Sequence, residues 1–106
     1  MDERWQAIIA VGGFIQAEPE PVWEFIMRWG VNDCSDLRAA IATVLLEHLL
    51  EHHFDAYFPH VEKLARNDAN FADTLSTCWA FGESKRPSNL TRLKALLKSL
   101  DGSTVT

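Results

Sequence analysis

The sequence lacks the long apolar runs and cysteine pairs that mark several large classes of protein. No apolar stretch approaches the ~18–20 residues that a helix needs to cross a bilayer. The acidic start, Met-Asp-Glu-Arg-Trp, is not typical of a signal peptide. Cys34 and Cys78 stand apart, without C-x-x-C spacing, which argues against a disulfide scaffold or a zinc finger. These absences predict a cytoplasmic protein with reduced cysteines and no membrane partner.

The motifs of common cofactor and nucleophile sites are missing too. There is no glycine-rich phosphate loop and no G-x-S-x-G elbow. Gly12-Gly13 lacks the preceding strand that a dinucleotide site requires. We therefore expect no cofactor.

The composition is that of one globular domain. The chain has 106 residues, of which 47% are hydrophobic and 24% charged, and a chain of this size buries about two-thirds of its surface on folding. The net charge is −5, with ten acids against three bases in residues 1–55 and five against seven in residues 56–106. An acidic domain is a poor non-specific binder of nucleic acid, because phosphate contacts need clustered Lys and Arg.

Apolar residues recur at helical spacing almost throughout, and no convincing strand pattern is present. The pattern predicts an all-α fold of five or six helices in antiparallel hairpins, in a single domain over residues 1–100 with a flexible tail at 101–106. Trp5, Ile8 and Ile9 share one face of the first helix. Two prolines make Gln16–Pro21 a predicted linker, and Gly30 is the predicted end of the second helix.

The third predicted helix, residues 34–53, is the central one because most of its surface is apolar. On a wheel of 100° per residue, Glu47 and Glu51 fall on the solvent arc, whereas His48 and His52 fall inside the apolar arc. Asp55 is the predicted cap of a fourth helix that contains Pro59.

Two shorter helices are predicted to follow. The fifth carries Phe71, Leu75, Cys78 and Trp79 and ends at Gly82. The sixth is capped by Ser88, and its inner stripe consists of leucines, Leu90, Leu93, Leu97 and Leu100.

Four tryptophans are many for a chain of this length. Trp29 and Trp79 occupy matching apolar positions in two predicted hairpins, so we expect them in the core. Trp5 or Trp23 is the candidate for an exposed patch, because aromatic side chains are enriched at protein interfaces.

One segment resembles a HEAT-like repeat. Residues 32–42, Asn-Asp-Cys-Ser-Asp-Leu-Arg-Ala-Ala-Ile-Ala, place Asp33, Leu37, Arg38 and Ala42 roughly where that family has an acidic turn and a hydrophobic-Arg-x-x-Ala run. The resemblance covers residues 21–53 and implies stacked antiparallel helix pairs, an α-α superhelix, with a binding or scaffolding role. A faint internal repeat of 34–35 residues agrees with it, and a compact helical bundle is the alternative architecture.

The run His48-Leu-Leu-Glu51-His52 has the H-x-x-E-H form of inverzincin metallopeptidases. The two histidines would share a zinc ion, and Glu51 would activate its water. Members of that family are longer and take a further glutamate ligand from downstream, whereas Glu62 and Glu83 lie in no recognisable context here. Packed, hydrogen-bonded histidines are the favoured interpretation, so we assign no catalytic or metal-binding residue. A zinc-dependent hydrolase stays an alternative.

A basic segment supports a second alternative, nucleic-acid binding. It consists of Lys85, Arg86, Arg92, Lys94 and Lys98. A solvated helix face is the simpler interpretation of such a charge run, so we do not expect a nucleic-acid partner.

These observations favour a non-enzymatic protein-interaction or adaptor domain. The acidic first half would steer a basic protein partner towards it. An uncapped apolar end of a short repeat array would also pair with another copy, which makes a homodimer a further expectation.

Overall fold

The computed structural model describes residues 3–101, and every regular element in that range is helical. The elements are α1 (Glu3–Gly12), α2 (Pro19–Trp29), α3 (Ser35–Ala40), a π-helical segment (Ile41–Leu46), α4 (Glu47–Asn67), α5 (Ala69–Ser76), a 3-10 turn (Gly82–Lys85) and α6 (Pro87–Leu100). The predicted all-α fold is confirmed. Apart from Asp101, the predicted tail lies outside the described residues, and none of the helices described is both long and apolar enough to cross a membrane.

Helix α2 begins inside the predicted linker. Pro19 is its first residue, so the predicted boundary at Pro21 is two residues too late. Proline fits the first turn because the N–H groups there have no helical acceptor in any case. Gly30 ends the helix as predicted, and its N–H donates to the Ile26 carbonyl.

The central rod is longer than predicted and is kinked. It runs from α3 through the π-helical segment into α4, which has non-helical backbone angles at His53 (φ −138°, ψ 43°). The Phe54 N–H, just after this break, donates to Glu83 Oε1 at 3.0 Å. The helix is therefore kinked at residue 53 and does not end there. The predicted cap at Asp55 is wrong, because Glu83 accepts the N–H group that follows this break.

The core is built around this rod. Trp23 is buried and meets Phe71 edge-on, with ring centroids 6.1 Å apart. The apolar residues that are fully buried are mostly aliphatic and come mainly from the rod: Ile26, Ile41, Ala42, Leu45, Leu46, Leu49, Phe54, Val61, Phe71 and Leu75. The predicted central position of this segment is thus confirmed.

The last two helices begin and end elsewhere than predicted. Helix α5 stops at Ser76, and not at Gly82, because its last turn tightens: the Cys78 N–H donates to the Leu75 carbonyl at 3.0 Å. Helix α6 begins at Pro87, so the predicted cap at Ser88 is wrong. Of its leucines, Leu93 and Leu96 are buried, while the predicted Leu90, Leu97 and Leu100 are half-buried.

A tyrosine hydroxyl links the rod to α2. The Tyr57 hydroxyl donates to Glu20 Oε2 at 2.8 Å. Burial, followed by the hydrogen bond and the negative charge of Glu20, raises the pKa of Tyr57 from 10.0 to about 12. The folded state therefore favours the neutral phenol, and this contribution to stability is complete below pH 10.0 and is lost as the pH rises towards about 12.

We expect Tyr57→Phe to lower the free energy of unfolding by about 1 kcal/mol at pH 7 and to reduce the alkaline loss of stability. Tyr57 is the single tyrosine of the chain, so phenolate absorbance titrates it without interference. A pKa near 10.0 in protein that is still folded by circular dichroism would contradict the assignment.

Candidate functional site

The π-helical segment Ile41–Leu46 changes which side of the rod faces solvent. A π turn holds one more residue than an α turn, so every later residue is rotated from its place on a continuous helical wheel. Glu47 is buried, at 6% exposure, although the wheel predicts it on the solvent arc. His48 and His52, predicted inside the apolar arc, are half-exposed instead.

The buried Glu47 carboxylate holds the chain that follows α5. Its Oε2 accepts the Trp79 N–H at 2.8 Å, and its Oε1 lies 3.7 Å from His48 Nε2. Burial and the Glu47 charge raise the pKa of the neighbouring Cys78 thiol, which donates to the Ala42 carbonyl at 3.5 Å. Cys78 is therefore a protonated, packed thiol and not a nucleophile.

The loop formed by residues 77–81, between α5 and the 3-10 turn, is pressed against α4. Gly82 has a left-handed φ of +49°, and a Cβ there would lie 2.7 Å from Glu51 Cγ and 2.9 Å from the Glu51 carbonyl oxygen. Trp79, in the middle of the loop, is bonded to Glu47, and Gly82, directly after the loop, lies against Glu51. The loop is therefore fixed at two points.

This fixed loop presents two aromatic side chains to solvent. Trp79 is 72% exposed, and Phe81 is exposed as well. The Phe81 ring stacks on the His48 imidazole, with centroids 5.8 Å apart and an angle of 12° between the planes. The predicted core position of Trp79 is wrong, because α5 ends before this residue. Phe81 was missed, although the run Trp-Ala-Phe-Gly, with apolar residues at i and i+2 before a glycine, carries the signal.

A groove of about 470 Å³ lies next to His48. It is lined by Ile9, Gly12, Gly13, Ile15, Gln16, Ala17, Val44, His48 and His52, none of which is an Asp, Glu, Lys or Arg. Ile9 is half-exposed here, although the sequence places it with Ile8 on the inner face of α1. We call the surface formed by Ile9, Val44, His48, Trp79 and Phe81 the aromatic surface.

The residues of the H-x-x-E-H run come together around the Glu51 carboxylate. Glu51 Oε1 lies 2.7 Å from His48 Nδ1 and 3.6 Å from His52 Nε2. Neither of the later glutamates joins them: Glu62 pairs with Arg66, and Glu83 binds the Phe54 N–H. Within residues 3–101, no group of three or more His, Cys, Asp or Glu side chains is arranged to hold a metal ion.

The other two histidines point elsewhere. His53 Nε2 lies 2.9 Å from the Ile15 carbonyl oxygen, which ties the kink to the loop after α1. His60 packs beside the rings of Trp23 and Tyr57. The four histidines are therefore distributed around α4 and do not form one cluster.

Most of the basic segment is exposed, and Arg92 alone packs on the core. The Arg92 guanidinium lies over the Phe58 ring, 4.8 Å from its centroid, and 3.6 Å from Asp55. Lys85, Arg86, Lys94 and Lys98 are exposed. Lys98 lines a groove of about 810 Å³ that carries charges of both signs, including Arg66, Asp68, Asp73 and Asp101.

Fold and site define an all-α domain with a kinked central helix, beside which a fixed loop exposes aromatic side chains. Residues 2–99 match the model of the family of unknown function DUF6869, and the chain belongs to that family. Comparison with curated proteins and with solved structures gave no significant match.

Proposed function

We propose that this domain is a non-enzymatic protein-interaction module whose partner packs on the aromatic surface. The observation that carries the proposal is the state of Trp79, whose side chain is 72% exposed while its backbone N–H is bonded to a buried carboxylate. Tryptophan is among the residues that contribute most to binding at protein interfaces.

The anchoring of the loop supports the proposal further. Binding is weakened when loops and side chains must be ordered at the interface, because this ordering costs free energy. Here the Glu47 bond and the contact of Gly82 with Glu51 order the loop in advance. The stacking of Phe81 on His48 joins the loop to the neighbouring groove, so one partner segment could contact both.

The HEAT-like architecture and the cytoplasmic location belong to the same proposal. Arg38, in the segment that resembles the repeat, bonds Asp73 Oδ2 at 2.9 Å, and the two residues are 35 positions apart. A bond between matching positions of two hairpins agrees with stacked repeats, and an adaptor role follows from that architecture.

The test is loss of partner capture by Trp79→Ala. We expect capture from a lysate of the source cells, quantified by mass spectrometry, to fall at least about tenfold, because a tryptophan at the centre of an interface contributes about 2 kcal/mol or more. Met27→Ala is the matched control, because Met27 is an exposed apolar residue that lines a different groove, beside Trp23 and His60.

Equal capture by the two variants, with both folded by circular dichroism, would refute the proposal. Turnover of a substrate by the purified protein would refute its non-enzymatic part. The zinc-hydrolase and nucleic-acid alternatives remain hypotheses that no specific contact in the described residues favours.

A further inference from the structure

We infer that the occupant of the aromatic surface is a cationic amphipathic segment of another protein, with apolar side chains in the groove and Lys or Arg side chains towards the carboxylates beside it. This inference rests on the proposed function and adds the chemistry of the partner.

The groove selects apolar side chains. No Asp, Glu, Lys or Arg lines it, and Ile9, Ile15 and Val44 give its walls apolar side chains. Its volume of about 470 Å³ is of the size that takes up several apolar groups. Phe81, which stacks on His48, extends the apolar area beyond the groove.

Three carboxylates lie near this area. Glu47 accepts the Trp79 N–H, Glu51 lies against His48, and Glu83 accepts the Phe54 N–H. Among the described residues, none of the three forms an ion pair with a Lys or Arg, and Glu51 pairs only with histidines. The formal net charge of the chain at pH 7, with histidine counted as neutral, is −5. Binding of cationic side chains is therefore favoured here, and binding of acidic side chains is disfavoured.

The same charges argue against a second copy as the occupant. A two-fold dimer brings the same patch of both subunits together. Two aromatic surfaces would then juxtapose two sets of Glu47, Glu51 and Glu83, in a chain that already carries a net charge of −5. Like charges at an interface oppose association, so a basic partner fits the surface better.

The experiment compares synthetic amphipathic helices with one leucine and tryptophan face. The polar face carries only lysine in the first peptide and only glutamate in the second; a third keeps the lysines but has serine in place of the apolar face. By fluorescence anisotropy, we expect the first peptide to bind at least about tenfold more tightly than either of the others. Added salt should weaken that binding.

Two substitutions locate the binding. We expect Trp79→Ala to weaken binding of the lysine peptide about tenfold or more, and Glu51→Gln to weaken it by several fold. Glu24→Gln is the matched control, because Glu24 is an exposed glutamate on α2, outside the groove and the loop. It should leave the affinity unchanged.

Equal or tighter binding of the glutamate peptide would overturn the inference and leave the proposed function standing. Equal binding of the serine peptide would overturn it too, because charge alone would then suffice. Two other outcomes would likewise refute only the partner's chemistry. In the first, none of the three peptides binds, but capture of a protein still depends on Trp79. In the second, the protein forms a concentration-dependent dimer that Trp79→Ala abolishes. Insensitivity of both peptide binding and lysate capture to Trp79→Ala would refute the inference and the proposed function together.

Discussion

Phe71→Ala is expected to lower the free energy of unfolding by about 3–5 kcal/mol, the usual cost of removing a fully buried aromatic ring. Phe71 is completely buried and meets Trp23 edge-on. Its ring also packs against Gly30, where an added Cβ would lie only 3.3 Å from two ring carbons. The turn after α2 encloses the site, so the cavity left by the ring cannot collapse easily. We therefore expect most of this loss of stability to be measured.

Urea unfolding followed by circular dichroism measures this effect. Phe14→Ala is the control, because Phe14 is 53% exposed and its removal should change stability by no more than about 0.5 kcal/mol. If Phe71→Ala does not fold, Phe71→Leu keeps more of the volume and should be destabilised by a smaller amount. Equal stability of the Phe71 and Phe14 alanine variants would contradict the assignment of Phe71 to the core.

Gly82→Ala is expected to be destabilised by about 1–3 kcal/mol and to lose binding at the aromatic surface. The positive φ of +49° disfavours any residue with a Cβ, and that atom would also lie 2.7 Å from Glu51 Cγ and 2.9 Å from the Glu51 carbonyl oxygen. Relief of this clash requires the loop to move away from α4. Trp79 and Phe81 would then leave the positions in which Glu47 and His48 hold them.

Gly13→Ala is the matched control for this substitution. Gly13 is exposed and has no positive φ, and an added Cβ there comes no closer than 3.4 Å to another atom, the Ala10 carbonyl oxygen. We expect its stability to change by no more than about 0.5 kcal/mol. Equal stability of Gly82→Ala and Gly13→Ala would show that the loop does not depend on this contact.

Much of the fold could be predicted from local sequence. Apolar spacing near 3.6 residues is a property of each segment, so it identifies Val22 and Ile26 as the inner face of α2 and residues 34–53 as the central rod. The stop at Gly30 was predictable for the same reason, since a glycine after an apolar helix is a local signal.

The position of the candidate site was decided by tertiary structure. Extrapolation along a helical wheel holds only while each turn has the same number of residues, and the π-helical segment breaks that condition before Glu47. The resulting rotation buries Glu47 and exposes His48 and His52. No local pattern in the sequence predicts this rotation, because the packing of the rod between α1, α2 and α5 sets where the extra residue is accommodated.

Tertiary structure also decides the exposure of Trp79. Its apolar spacing with Phe71 and Leu75 is helical, and the sequence alone places all three on one buried face. In the folded chain, the acceptor for the Trp79 N–H is the carboxylate of Glu47, 32 positions earlier. The sequence by itself thus determined the helical class and most of the core. The tertiary structure decided which side chains face solvent beyond the π-helical segment, because that depends on the rotation by this segment and on a long-range hydrogen bond, and not on periodicity.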